Sequence, residues 1–209
     1  MKNKFSNALK LIFPYKKINL FVISLFFLGI TLGAIFTATI NVNDQNLIIE
    51  KIKLFISNID NSLLDTLFSV KNSLSINFTY LFFIWILGMT IIGVVINLLL
   101  LFLKGFIIGF SLASFIVTYS YKGLILSSLY LIFGQLLNIF VVCTIAIYSI
   151  IFSYKLLQVI FKNKNIELKR FVKNYTLIAI ILSIISIISS FGECILFPTL
   201  IKLIINLFT

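Results

Sequence analysis

Between Phe78 and Thr118 the chain carries a single charge, Lys104. As a helix that stretch would run about 60 Å, twice the ~30 Å hydrocarbon core of a bilayer. No soluble fold hides so long an uncharged run, so it has to cross a membrane twice. Two further uncharged or nearly uncharged runs, Leu20–Ile40 and Leu124–Tyr154, and a last one from Tyr175 have the same character. With 61% hydrophobic and 11% charged residues, the rest of the chain has no room for an ordinary soluble domain. The expected fold class is all-α: a polytopic integral membrane helix bundle of about five transmembrane helices. It forms a single membrane domain over 1–209, with amphipathic helices in the 41–75 loop.

The segments follow from the breaks in hydropathy. Residues 1–19 read as an interfacial helix, with Phe5, Leu9, Ile12 and Phe13 on one face and lysines on the others, ended by Pro14. The first span covers 20–40. It is too long for the apolar core of a signal peptide and is read as an uncleaved helix. In 41–75, Ile48, Ile52, Phe55 and Ile59 recur at helical spacing, and Leu63, Leu64, Leu67 and Phe68 continue the pattern after "NIDNS". Asp44 is the expected N-cap. This helical segment either lies on the bilayer or the bundle, or offers a docking surface. The second and third spans are 76–97 and 98–120, with a turn around Asn97–Lys104. The fourth is 124–154, long enough to be tilted, broken or protruding. A basic loop, 155–174, precedes the fifth span, 175–197, and a C-terminal segment, 198–209.

The net charge of +11 does not point to nucleic acid, because the basic residues flank apolar spans. They concentrate in 1–19 and 155–174, whereas 41–75 is slightly acidic. The positive-inside bias then places the N-terminus inside, the C-terminus outside and the 41–75 loop outside the cell. Tyr80, Tyr119 and Tyr121 would lie at the outer interface, and Tyr15, Tyr154 and Tyr175 at the inner one. Lys104 would be a lysine at the turn, snorkelling to the headgroups, unless a polar partner holds it inside the bundle.

Chemistry-bearing constellations are sparse. The chain has no histidine, its cysteines (Cys143, Cys194) have no metal spacing, and no nucleophile has a visible base partner. The expectation is a non-enzyme without cofactor or metal. Two small-residue pairs, Gly29/Gly33 and Gly105/Gly109, sit four apart on separate spans and are candidates for close helix packing. Gln135 and Asn138 lie one turn apart beside Gly134, and Glu193 is the one acidic residue in an apolar span. An ionised carboxylate there needs a partner. Gly134 and Pro198 could each interrupt a helix.

The stretch "WILGMTIIGVVINLLLLFLKGFIIGF", with Trp85, Gly88, Lys104, Gly105, Phe106 and Gly109, resembles the central signature of the stage II sporulation protein M family. The first-span glycines and "ECILFP", where Glu193 precedes Pro198, fit the same pattern. Unlike many members, the chain has no proline in the fourth span, where it reads "FGQLLN", and it carries Val95 where others have proline. The resemblance implies a non-enzymatic scaffold in the septal or engulfing membrane of the bacterial mother cell. That scaffold would anchor and localise a peptidoglycan-remodelling complex with stage II sporulation proteins D and P during endospore engulfment. The competing expectation is a small transport or permease subunit using Lys104, Gln135, Asn138 and Glu193. In either case membrane lipid surrounds the chain.

Overall fold

A computed structural model describes residues 15–60, 65–162 and 168–208. Of the interfacial helix expected over 1–19, residues 1–14 with Pro14 lie outside the described residues and 16–19 belong instead to the first spanning helix; residues 61–64, the end of "NIDNS" with Leu63 and Leu64, also lie outside them. Among the described residues every element is a helix. In chain order they are α1 (Lys16–Thr39), α2 (Val42–Asp60), α3 (Thr66–Gly88), α4 (Gly93–Leu129), α5 (Leu136–Lys162), α6 (Leu168–Phe191) and α7 (Phe197–Phe208). A π-helical turn, Tyr130–Gln135, joins α4 to α5, and another, Gly192–Leu196, joins α6 to α7.

Four helical stretches are long and apolar enough to cross a membrane: Lys16–Thr39, Thr66–Gly88, Gly93–Phe161 and Lys169–Leu203. The third folds back on itself at Ser120, whose φ of 50° and ψ of −119° are those of the first central residue of a type II′ turn. A Cβ added to Gly123 would collide with the Phe115 carbonyl, which places the two arms back to back. The fold-back makes two crossings of that stretch, within the polar point at Tyr119–Gly123. A serine in this conformation costs about 1–3 kcal/mol relative to glycine-accepting geometry, so packing on both sides must hold it.

Two boundaries differ from the sequence-based expectation. The turn expected at Asn97–Lys104 lies instead at Met89–Ile92, between α3 and α4. There Thr90 Oγ1 donates to the Leu87 carbonyl and accepts from the Gly93 N–H at 2.9 Å, capping the incoming helix. Hydropathy could not mark this turn, because "GMTIIG" is as apolar as its flanks. The second difference is in 41–75. Asp44 lies inside the first turn of α2 and not at its cap, and the second half of the loop already belongs to the spanning helix α3. Asp65 caps α3 instead, accepting from the Phe68 N–H at 3.1 Å.

α1 lies along the first arm of α4, and Gly29, Gly33, Gly105 and Gly109 line their seam. A Cβ on any of them would come closer than 3.0 Å to backbone of the opposite helix: Phe102 and Phe106 for the α1 glycines, Phe26 and Ile30 for the α4 pair. In lipid, where burial gives no drive between helices, such backbone approach supplies the dispersion contacts. Thr37 ends the seam, fully buried and donating to the Gly33 carbonyl. The main core lies between α1, α3, α4, α5 and α6, with Val22, Ile84, Leu101, Ile145 and Ile147 fully enclosed. A second apolar cluster forms toward the Ser120 bend, where Ile56 and Ile59 of α2 meet Phe115, Leu126, Phe197 and Ile201. α2 is therefore seated on the bundle by one face, while Asp44, Glu50, Lys51 and Lys53 remain exposed.

Candidate functional site

The two π turns pack against each other. A π turn holds one residue more than an α turn, so it re-aims the side chains that follow. A Cβ on Gly192 would collide with the Phe133 carbonyl, so the second turn uses a glycine to admit the first, while a Cβ on Gly134 would sit in ordinary contact, 3.9 Å from Glu193 Cα. Across this contact Gln135 Nε2 donates to Glu193 Oε1 at 2.9 Å. The helix does not stop at Pro198, as sequence alone led one to expect. The Phe197 N–H reaches back to the Gly192 carbonyl in the wider turn, and α7 continues with the proline in its first turn. The π turn takes up the distortion that a proline causes inside a regular helix. At Gly134 likewise the fourth span widens without breaking.

The other Glu193 oxygen accepts from Ser73 Oγ on α3 at 2.9 Å. Ser73 Oγ also accepts from Asn77 Nδ2 at 3.3 Å, and the same amide donates to Ser190 Oγ at 3.0 Å. Asn138 Nδ2 completes the chain by donating to Asn77 Oδ1 at 2.9 Å. Three separate spans thus meet through Ser73–Asn77, Gln135–Asn138 and Ser190–Glu193. Hydrogen bonds of this kind in membrane bundles average about 0.6 kcal/mol each, so the network orients more than it stabilises.

Beside the network lies a cavity of about 630 Å³, walled by α2, α3 and α7. Glu193 and Asn77 border it, and so does Lys104 of α4. Lys104 sits about 18 Å along the helix from the Met89–Ile92 turn, well inside the span. The snorkelling-turn placement is therefore replaced by its alternative, a lysine held in the bundle. Its ammonium stands 5.6 Å from the centroid of the Tyr80 ring, on the cavity that Glu193 also borders. Tyr80 is fixed in turn by donating its hydroxyl to the Leu100 carbonyl. Tyr80 thus belongs to the interior beside Lys104 and not to an interface belt.

A second polar cluster lies toward the Met89–Ile92 turn, with its side chains enclosed in the core. Asn97, 1% exposed, donates to the Ile84 carbonyl at 2.9 Å and to Ser149 Oγ at 2.6 Å. Tyr175, buried and stacked on Phe152, donates to the same Ile84 carbonyl at 3.3 Å. Gly88 makes the room: a Cβ there would collide with the Tyr175 and Ser149 hydroxyls. Trp85, by contrast, packs on Phe82 beside an apolar cleft between α3 and α6, away from both clusters.

Sequence reasoning named Lys104, Gln135, Asn138 and Glu193; the structure joins the last three in one network and puts Lys104 on the cavity beside it. It missed Ser73, Asn77, Ser190, Asn97, Ser149 and the role of Tyr175. Asn77 and Asn97 carried a usable signal, since amides are costly in lipid. Asn97 was assigned to a turn and Asn77 to the edge of a span, which removed their weight.

The chain matches the family model of stage II sporulation protein M over residues 22–198. Searches of curated proteins and of solved structures returned no match.

Proposed function

Because the chain belongs to the stage II sporulation protein M family, we propose that it is a non-enzymatic scaffold of the endospore engulfment membrane, a multi-pass protein that anchors and localises a peptidoglycan-remodelling complex. The observation that supports this reading is α2. Its apolar face is buried on the bundle through Ile56 and Ile59, and its exposed face carries Asp44, Glu50, Lys51 and Lys53. A helix clamped in this way presents charges from a fixed position, which is what a recruiting surface needs. With the N-terminus inside and the C-terminus outside, that surface faces the wall. The partners would be wall hydrolases of the stage II sporulation protein D and P type, and the site of action the septal membrane of the mother cell.

The test is localisation of fluorescent partners in sporulating cells carrying Glu50→Lys with Lys51→Glu and Lys53→Glu. Accumulation of the altered protein with dispersed partners supports the scaffold; partners that still gather at the septum count against α2 as the surface. Orientation is checked with Tyr121→Cys in a chain lacking Cys143 and Cys194. Tyr121 is 75% exposed at the Ser120 bend, and it should react with a membrane-impermeant thiol reagent from outside.

A second reading, a transport subunit, draws on the cavity beside Lys104 and Glu193. Toward the Met89–Ile92 turn the space beyond it is filled by Leu81, Ile84, Leu101, Val141 and Ile145, all buried, so crossing would require this core to open. Solute flux into liposomes holding the purified chain alone would favour transport over the scaffold.

A further inference from the structure

The cavity bordered by Lys104 and Glu193 has no part in the scaffold reading, and a ligand bound there would be independent of it. Three charged side chains line the cavity, all from different elements: Lys104 and Glu193, both half-buried, and Lys202 of α7, which is exposed to solvent. Among the described residues no carboxylate lies within 4 Å of the Lys104 ammonium, whose neighbours are the Tyr80 ring face and the more distant Glu193 charge. An ammonium deep in a span calls for an anion or solvated polar groups close by. Glu193 is only partly engaged: each oxygen accepts one hydrogen bond, from Ser73 and from Gln135, and a carboxylate offers about four acceptor positions.

The approach to these charges is polar along one line. Thr66, Ser69, Asn72, Ser73 and Asn77 follow at helical spacing down the wall formed by α3. This ladder descends about 16 Å from the start of α3 to the level of the network. The opposite wall is apolar and aromatic, with Phe55, Tyr130 and Phe197. A volume of about 630 Å³ falls in the usual 300–1,000 Å³ range of small-molecule sites, which pair apolar walls with a few convergent polar groups.

From these observations we propose that the cavity binds a small zwitterion, an amino acid or short peptide, with its carboxylate toward Lys104 and its ammonium toward Glu193. Charge balance between the two half-buried groups selects this class, since the exposed Lys202 is screened by solvent. A simple anion attracted by Lys104 would meet the repulsion of Glu193 in the same space, and a simple cation the reverse. A molecule carrying both charges satisfies each without leaving the other opposed, and the Asn72 amide on the cavity wall can hold a carbonyl or amide of the ligand.

The experiment is thermal unfolding of the purified full-length chain in detergent, titrated with the free amino acids and with dialanine. At least one of them should raise the midpoint in a saturable way. The N-acetylated and the carboxamide forms of that compound should not, nor should acetate or ethylamine. Lys104→Gln and Glu193→Gln should each weaken its apparent Kd at least tenfold. Three results overturn the proposal: no zwitterion shifts the midpoint, the blocked or single-charge compounds shift it equally, or both variants bind as the unaltered chain does. If either variant fails to accumulate, the blocked compounds on the unaltered chain decide the question alone.

Discussion

The bundle contains two polar clusters of similar chemistry and opposite setting. Around Asn97, Ser149 and Tyr175, toward the Met89–Ile92 turn, the donors converge on a main-chain carbonyl and the surroundings are filled by core side chains. Around Asn77, Asn138, Gln135 and Glu193, toward the Ser120 bend, the network borders open space and includes a carboxyl group. The difference teaches what each cluster can do. A closed knot of neutral groups pins helices at one spacing. A network facing a cavity keeps unused hydrogen-bonding capacity and can serve something from outside the chain.

The sharpest way to break the comparison is through the glycines, since they support both ends of the bundle. Gly105→Leu and Gly88→Leu should each abolish accumulation of folded protein. The first pushes α1 off α4, and the second drives a side chain into Tyr175 and Ser149; overpacking of tight sites costs about 1–3 kcal/mol even where the surroundings yield. Western quantification and gel filtration in mild detergent check this. A Gly105→Leu chain that accumulates normally would show that the seam is dispensable.

Next in size is Asn97→Leu, which leaves the Ser149 hydroxyl without its amide donor and forces a branched side chain into a filled site. A loss of about 1–3 kcal/mol in stability is expected, read as a lower unfolding midpoint. Glu193→Leu should cost a similar amount, because Ser73 and Gln135 lose their acceptor. Glu193→Gln keeps size and one acceptor oxygen and should be tolerated in stability and in partner recruitment. Equal damage from Gln and Leu would show that the charge itself holds the bend-side network together. The smallest effect is expected for Lys104→Gln, whose midpoint should stay near that of the unaltered chain while ligand response is lost. If Lys104→Gln proves more damaging than Gly105→Leu, the open cluster is as structural as the closed one and the contrast fails.

Much of this arrangement was legible in the sequence because lipid imposes simple rules. Runs without charge had to be spanning helices, and glycines four apart on two of them had to be weighed as a packing face. The Gln135, Asn138 and Glu193 set stood out because amides and carboxylates are rare in apolar runs. What was not legible depended on local backbone geometry. The α3–α4 turn hides in "GMTIIG", where only a Thr90 hydroxyl distinguishes a turn from a helix. Lys104 was drawn to that misplaced turn because a lysine near a helix end is cheaper than one inside. Ser73 and Ser190 gave no sign, since a serine in a transmembrane helix most often bonds its own preceding carbonyl, as Ser183 does with Ala179.

The paired π turns leave a trace that can be sought in sequences alone. Each represents one residue beyond what a regular helix needs, and Gly192 lets the two approach. Removing a single residue from 130–135 would rotate everything after it by about 100° and swing Gln135 away from Glu193. The same deletion in 192–196 would swing Glu193 away from Gln135. A lineage can lose either insertion only by giving up the contact, so one-residue gaps in aligned homologues should occur in both segments or in neither. Chains gapped in both should also lack the acid at the position of Glu193.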